Sequence, residues 1–468
     1  MRAGRARRAA AAGLAASAVL AVAAWLAGAL PSGDPAPTLR LEGLGSTSGR
    51  FQLGLLLWLV ATAALGLIWW RSRNPSVLWF VPLLLAPPLA SRDVYAYACQ
   101  GDIWLAGLDP YKLGVADGGC LWTPSVPELW WHTPTPYGPL AIVLSGVAVA
   151  MAKFVSNDLD TQLTIAVTVL RLIALGGLAL LGWGLNRLGR GGARWLGLLT
   201  PLVAIHAVSG AHNDAVMAGL IVAGLAAAAS KRRNDWLIAG ILLGGAVAIK
   251  VTALVALPFV LLLLPPWRQR WAALLASVAT FAALTLASGL GLGWVHGLRD
   301  TGDLQQWTSL PTGAGMAVGY LLRAFGIDAM SASVTVARAL GLIALLLISL
   351  YAVRKAWKAP AATVIAACGW VLAALAVLGP VFYPWYALAP LAVLAAVPHS
   401  WRLAQEAPRR TEAWTKTRAA VTIGLCFLVL PNGLGLAVLT KGPGAFAALA
   451  AVIALLAYAV RARPRRTA

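Results

Sequence analysis

The stretch SRDVYAYACQGDIWLAGLDPYKLG, residues 91–114, sets an acid, Asp93, directly after an apolar run and beside Arg92. A carboxylate at such a boundary is partly desolvated and can accept a proton from a hydroxyl nucleophile. The plainer reading is a helix cap, since Asp is favoured at helix N-termini. The neighbours favour chemistry. Tyr95 and Tyr97 follow at spacings of two, Gln100 and Tyr111 lie further along, and WWHTPTPYGP adds His132, Tyr137 and a rigid run of prolines. Aromatic faces beside a carboxylate suit sugars, whose C–H faces stack and whose hydroxyls need acceptors. Arg92 is expected to keep Asp93 ionised near neutral pH, because an opposite charge within roughly 4–6 Å favours the carboxylate.

Three further groups could serve the same site. SGAHNDAVMAGL places His212, Asn213 and Asp214 just before an apolar run, where they either cap a helix or contact hydroxyls or phosphate. Lys250 lies inside GGAVAIKVTALVALP. A cation at the centre of a membrane helix costs roughly 2.5–3.5 kcal/mol on insertion scales, so it needs a partner or a local break. It either snorkels to the interface or binds the phosphate of a membrane-borne molecule, in which case its loss should cost turnover and not folding. GWVHGLRDTGDLQQW carries His296, Arg299 and Trp307, which read as a lipid-phosphate site or as a solvated loop. In GPVFYPWYALAP, Tyr383 and Trp385 read as an interfacial aromatic belt or as a second pocket wall. One His and one Asp make a weak metal site, and no second ligand pair has useful spacing, so no metal is expected. Cys368 and Cys426 fall in apolar runs; Cys99 and Cys120 share the first polar segment, and whether they form a disulfide is open from sequence.

These residues need a scaffold, and composition dictates its class. The chain of 468 residues is 60% hydrophobic and 11% charged, with mean hydropathy +0.78, against about 25% charged residues in a soluble domain. Apolar runs recur from end to end, which makes it an all-α polytopic membrane protein. The net charge of +21 does not indicate nucleic acid, because Lys and Arg sit in short clusters between apolar runs. MRAGRARRAA could head a signal peptide, but a plain first membrane helix is preferred, as no clear cleavage site follows.

Spans are expected near 11–30, 51–70, 77–90, 161–185, 195–208, 215–230, 236–249, 251–264, 271–290, 334–353, 361–379, 386–398, 419–440 and 445–460. That is about 14 transmembrane helices, with 13–15 as the range. Basic clusters, including NRLGRGGAR at 186–194 and the loop 399–418, then face the cytoplasm. Segment 137–155 must not cross in this scheme, and Arg171 falls awkwardly inside a span. All acids but Asp235, Glu406 and Glu412 land on the opposite, outer face. Two long outer segments result, 91–136 and 291–333, within a single domain over 1–468.

As a set, SRDVYAYACQGDIWLAGLDPY, TPTPYGPL, SGAHNDAVMAGL, GWVHGLRDTG and GPVFYPWYALAPL resemble the actinobacterial polyprenol-phosphomannose-dependent α-1,6-mannopyranosyltransferases, the MptA/MptB group. The resemblance runs through roughly 50–400. It implies a GT-C glycosyltransferase fold and transfer of mannose from polyprenyl-phosphate-mannose to a lipid-anchored mannan at the outer face of the plasma membrane. The implied partners are that donor, the mannoside acceptor and membrane lipids. The pattern also implies a catalytic acid soon after a span in the first outer loop, the place Asp93 occupies. Many such enzymes pair two acids there; Arg92–Asp93 stands instead, which implies metal-free chemistry. The alternatives are a related transferase of another sugar such as arabinose, a transporter, or a carrier flippase. Against a transporter, the polar residues cluster at one face and no inverted repeat is found; a flippase would need polar residues through the bilayer, which are scarce here.

Overall fold

The computed structural model describes residues 2–31, 48–188, 193–230, 232–300, 304–397 and 408–461. The described residues form helices, with no strand beyond an isolated bridge between Val429 and Gly435. The main helices are α1 (Arg2–Ala27), α2 (Gly49–Ser72), α3 (Asp93–Leu105), α4 (Pro139–Val155), α5 (Leu159–Leu188), α6 (Asp214–Ser230), α7 (Asp235–Ile249), α8 (Trp267–Ser288), α9 (Leu310–Ala324), α10 (Met330–Ala356), α11 (Ala361–Leu378), α12 (Leu388–Ala396), α13 (Pro408–Leu425) and α14 (Lys441–Arg461). Apolar side chains around these helices bury one large core that runs from Ala16 to Leu430, and two small ones form at Met316, Ala317, Val334 and Ala445 and at Ala27 and Phe51.

Among the described residues, seven helices are long and apolar enough to cross a membrane: α1, α2, α5, α8, α10, α11 and α14. A π-helical turn, Val203–Ser209, joined to α6 across a 107° bend would make an eighth. The expected 14 spans are therefore not found as 14 long helices. Hydropathy sees the apolar run but not the breaks within it. Residues 77–90 break at their prolines into the short turns Val77–Phe80 and Val81–Leu84. Residues 386–398 hold the short turn Pro384–Ala387 followed by the 9-residue α12, and 419–440 ends its helix at Leu425. Segment 137–155 becomes α4, a regular helix of 17 residues packed against both α3 and α5. The expected outer loop 291–333 contains a short helix, Trp294–Asp300, the whole of α9 and the start of α10. Parts of the basic segments 186–194 and 399–418 lie outside the described residues.

Two observations explain how the bundle holds the site. Arg171, buried in α5, gives Nε and Nη2 to the carbonyl of Ser209 at 3.2 and 3.0 Å and Nη1 to that of Leu84 at 3.1 Å. Its charge is thus met by backbone carbonyls that the π-helical turn and the Pro-rich break leave unused, which removes the difficulty of an Arg at that depth. Helices α5 and α6 also meet backbone to backbone, since a Cβ at Gly219 would run into the carbonyl of Gly177. That backbone carbonyl cannot easily give way, so overpacking should cost about 1–3 kcal/mol. Gly219→Val is expected to lower the unfolding midpoint in detergent by several degrees, whereas Gly176→Val, which faces open space, leaves it in place. Equal midpoints would show that the crossing is not tight.

Candidate active site

Asp93 opens α3. Its backbone N–H donates to Ser91 Oγ at 3.1 Å, and its carboxylate sits at the positive end of the helix, where an anion is favoured. The N-cap position belongs to Arg92, and no side chain caps the helix, so the carboxylate of Asp93 is not spent on capping. The side chain faces a cavity of about 930 Å³, whose lining also includes Arg92, Tyr137, Asp214, Lys250, Tyr383 and Trp385 from the expected set. Oδ1 accepts from Trp130 Nε1 at 3.2 Å, and Oδ2 lies 3.8 Å from His212 Nδ1. Burial pushes the Asp93 carboxyl up to about 6; the Trp130 hydrogen bond and Lys250 draw it down, and Asp214 pushes it up.

That direction corrects the reading of Arg92 as the group that holds Asp93 well ionised. The guanidinium instead ties segments together, through Asn432 Oδ1 at 2.6 Å and the carbonyls of Leu30 at 3.0 Å and Ser125 at 3.1 Å. Asn432 arrives from a tight hairpin at 428–436, closed by Leu430 N–H to Leu434 O at 2.8 Å and Leu436 N–H to Leu428 O at 2.8 Å.

Lys250 has both the partner and the break that its charge requires. Helix α7 stops at Ile249, Lys250 is extended at φ −157°, and a 3-10 helix, Val251–Ala256, follows. Its Nζ donates to both carboxylate oxygens of Asp214 at 3.1 Å and lies 3.9 Å from the Tyr386 ring centre. Asp214 is the first residue of α6 and is 2% exposed. The end of α7 also seats the loop before α4. Gly138 N–H bonds to the Ile249 carbonyl at 3.0 Å, and a Cβ at Gly138 would strike the Ala248 carbonyl. Tyr137 is thereby held within 6.0 Å of the Lys250 ammonium.

An aromatic wall completes the cavity. The His212 ring stacks on Trp385 at 3.8 Å, and Trp385 stacks on Tyr383 at 4.7 Å. The Tyr97 hydroxyl lies 3.3 Å from His212 Nδ1 and 3.5 Å from the Tyr137 hydroxyl. Tyr383 and Trp385 therefore belong to a pocket wall and not to a lipid-facing belt. Tyr386, from the same aromatic run, lines the cavity as well, as do Trp130, Glu128 and Asn432, which were not named as site residues from sequence.

The remaining expected residues lie elsewhere. Tyr95 donates to the Ala29 carbonyl at 2.6 Å, inside the core. Gln100 is buried in α3, and Tyr111 is buried against Gly293. His132 pairs at the surface with Asp117 at 2.8 Å. Trp307 gives its indole N–H to Thr440 Oγ1 at 3.0 Å, fastening the start of α9 to the α14 end. Asn213 and His296 are not among the residues that line the cavity, though Leu298 is. The side chain of Arg299 lies outside the described residues. Cys99 and Cys120 form a disulfide, with Cα atoms 5.5 Å apart. Among the described residues no group of three or more His, Cys, Asp or Glu is placed to hold a metal ion.

The family model described as alpha-(1→6)-mannopyranosyltransferase, N-terminal domain, matches residues 10–266. That of the MptB C-terminal domain matches 311–460, so the likeness extends beyond residue 400 into the last helices. An alpha-(1→6)-mannopyranosyltransferase of Mycobacterium tuberculosis is 32% identical over 69% of this chain and 65% of its own length. The alpha-(1→6)-mannopyranosyltransferase A of the same organism is 33% identical over 70% and 66%. A more distant protein of that organism, named polyprenol-phosphate-mannose-dependent alpha-(1-2)-phosphatidylinositol mannoside mannosyltransferase, is 30% identical over 58% and 57%. The chain thus spans just under two thirds of the length of the first two relatives. No solved structure matches it. The chain belongs to the alpha-(1→6)-mannopyranosyltransferase family.

Proposed function

We propose that the cavity is the active site of an inverting membrane mannosyltransferase. It moves mannose from polyprenyl-phosphate-mannose onto a lipid-anchored mannan, such as a lipomannan core, through an α-1,6 bond. The observation that carries this reading is a buried carboxylate, Asp93, set in one cavity with a cation, Lys250, and a stacked aromatic wall. The name of one relative supports the donor class, since that protein is polyprenol-phosphate-mannose-dependent.

In this mechanism Asp93 accepts the proton of the acceptor 6-hydroxyl. The hydroxyl oxygen attacks C1 of the mannose, and the bond from C1 to the phosphate oxygen breaks. The phosphate leaves on its polyprenyl chain with its charge met by the Lys250 ammonium, as preorganised cations do where charge develops. A single displacement on a β-linked donor gives the α product. The rings of Tyr383 and Trp385 would stack on the sugars, and apolar lining residues such as Leu372 and Leu375 suit the isoprenoid. The chemistry is drawn without a metal. The partners are the lipid donor, the lipid-anchored acceptor and the bilayer, and the site is proposed to open at the outer face of the plasma membrane, since Arg92 meets the Leu30 carbonyl just past α1, whose basic start would face the cytoplasm.

The sign of the pH dependence follows from the base. A protonated Asp93 cannot accept a proton, so with its carboxyl near 6 kcat/KM should fall about tenfold per pH unit below that value and level off above it. Purified protein in liposomes, given polyprenyl-phosphate-mannose and a mannoside acceptor, should yield a product cleaved by an α-1,6-specific mannanase. Transfer only from a pentose-bearing lipid donor would overturn the mannose assignment.

A further inference from the structure

We propose that Trp130 is the positioning residue of the base: its indole N–H holds Oδ1 of Asp93 and leaves Oδ2 as the oxygen that takes the proton. The inference rests on the reading of Asp93 as general base and adds which atom acts and what orients it.

The indole nitrogen is a donor only. A carboxylate oxygen bound to it at 3.2 Å is therefore occupied by a partner that can neither accept nor relay a proton. Oδ2 has no such restraint. His212 Nδ1 stands 3.8 Å away, beyond hydrogen-bond distance, so among the described contacts no hydrogen bond occupies Oδ2, and it is the oxygen left for an acceptor hydroxyl entering the cavity that Asp93 lines. A terminal carboxyl torsion is broad and roughly two-fold, so without a fixed donor the two oxygens would exchange places.

Trp130 is mounted for this task. It is 6% exposed and sits in the 3-10 turn Glu128–Trp130. The carbonyls of Trp130 and Trp131 accept from the N–H groups of Val115 at 3.0 Å and Ala116 at 2.9 Å. The Val115 carbonyl in turn accepts from Cys120 N–H at 3.1 Å. Cys120 is disulfide-bonded to Cys99 on α3, the helix that Asp93 begins. Gly114 lets this strap close, because a Cβ there would strike the Trp131 carbonyl. Acid and indole thus hang from one covalently closed frame. Three tryptophans, Trp122, Trp130 and Trp131, lie within ten residues of one another, and each donates its N–H, but only Trp130 gives it to a side chain; the other two go to the carbonyls of Leu159 and Val126.

Several other ionisable groups face the carboxylate. On its own helix there is Tyr97; from the α6 bend come His212 and Asp214, and from the α7 end Lys250. Tyr137, Tyr383 and Tyr386 face it from the remaining walls, and Arg92 precedes it. Among the described contacts, Trp130 is the donor to Oδ1.

A hydrogen bond to the ionised form favours that form. Its loss should raise the carboxyl, an effect that a merely space-filling tryptophan would not have. The test is the kcat/KM pH profile of wild type, Trp130→Phe, and protein carrying 3-benzothienylalanine at 130, which keeps the ring shape without the N–H. Both substituted proteins should move the acid limb up by about one pH unit. They should lose about fivefold in rate at pH 6 and little at pH 8, and keep the donor KM within about twofold. The isostere guards against a Trp130→Phe protein that does not fold. An acid limb unmoved in the isostere, whatever the rate, overturns the role of Trp130. A wild type without an acid limb, or an active Asp93→Asn, overturns the base itself, so the two failures are distinguishable.

Discussion

Asp93→Asn is expected to lower mannosyl transfer by about 10²–10⁴-fold, the usual loss on removing a general base, while donor binding stays within about twofold. The amide keeps the shape of the carboxyl and can still accept from Trp130 Nε1, so the frame around α3 is preserved. It cannot take the proton of an acceptor hydroxyl. The base contacts the acceptor and not the donor phosphate, hence the split between turnover and donor affinity. Transfer assays in membranes, run beside binding of the lipid donor, check both. A variant retaining more than about a tenth of wild-type turnover would remove Asp93 as the base and move the search to Asp214.

Lys250→Ala should have two effects that can be separated. From sequence the substitution is expected to spare folding. The structure alters that, because Asp214 is 2% exposed and takes both of its hydrogen bonds at 3.1 Å from Lys250. Breaking a buried pair by deleting one member costs about 3–5 kcal/mol, whereas replacing both with apolar groups is often neutral. Lys250→Ala should therefore unfold at markedly lower temperature, and Lys250→Met with Asp214→Leu should recover most of the midpoint. If Lys250 also meets the leaving phosphate, the recovered double variant remains at least about 10²-fold slow, since a preorganised charge-stabilising group is worth that much. Near-native kinetics in the double variant would reduce the pair to structural glue.

The parts of the site legible in sequence were charges in the wrong solvent. Asp93 and Lys250 stand out because an ionisable group amid apolar residues must be paired, broken out or functional, and Asp214 was visible as an acid at a helix start. Tryptophan carries no such signal in a chain holding 21 of them, most of which interfacial placement explains cheaply. Trp130 therefore could not be told from Trp131, and Trp307, picked out by its charged neighbours, lies elsewhere. Asn432 was invisible for another reason: it reaches Arg92 across 340 residues of chain. His132 and Trp307 sit among suggestive neighbours, yet local composition does not say which way a loop folds. The all-helical class followed from composition, but the span count did not. Proline breaks, the π-helical turn and the bend before α6 divide apolar runs that hydropathy reads as continuous, and those same breaks deliver Asp214 and Lys250 to the cavity.

The central claim, that this cavity is where mannose changes hands, is tested most directly by a structure of the Asp93→Asn protein with polyprenyl-phosphate-mannose and a mannoside acceptor bound. The phosphate is expected within hydrogen-bond distance of Lys250 Nζ, and the acceptor hydroxyl about 3 Å from the side chain at position 93, in line with C1. A headgroup seated outside the cavity, or an anomeric carbon turned away from position 93, would contradict the account.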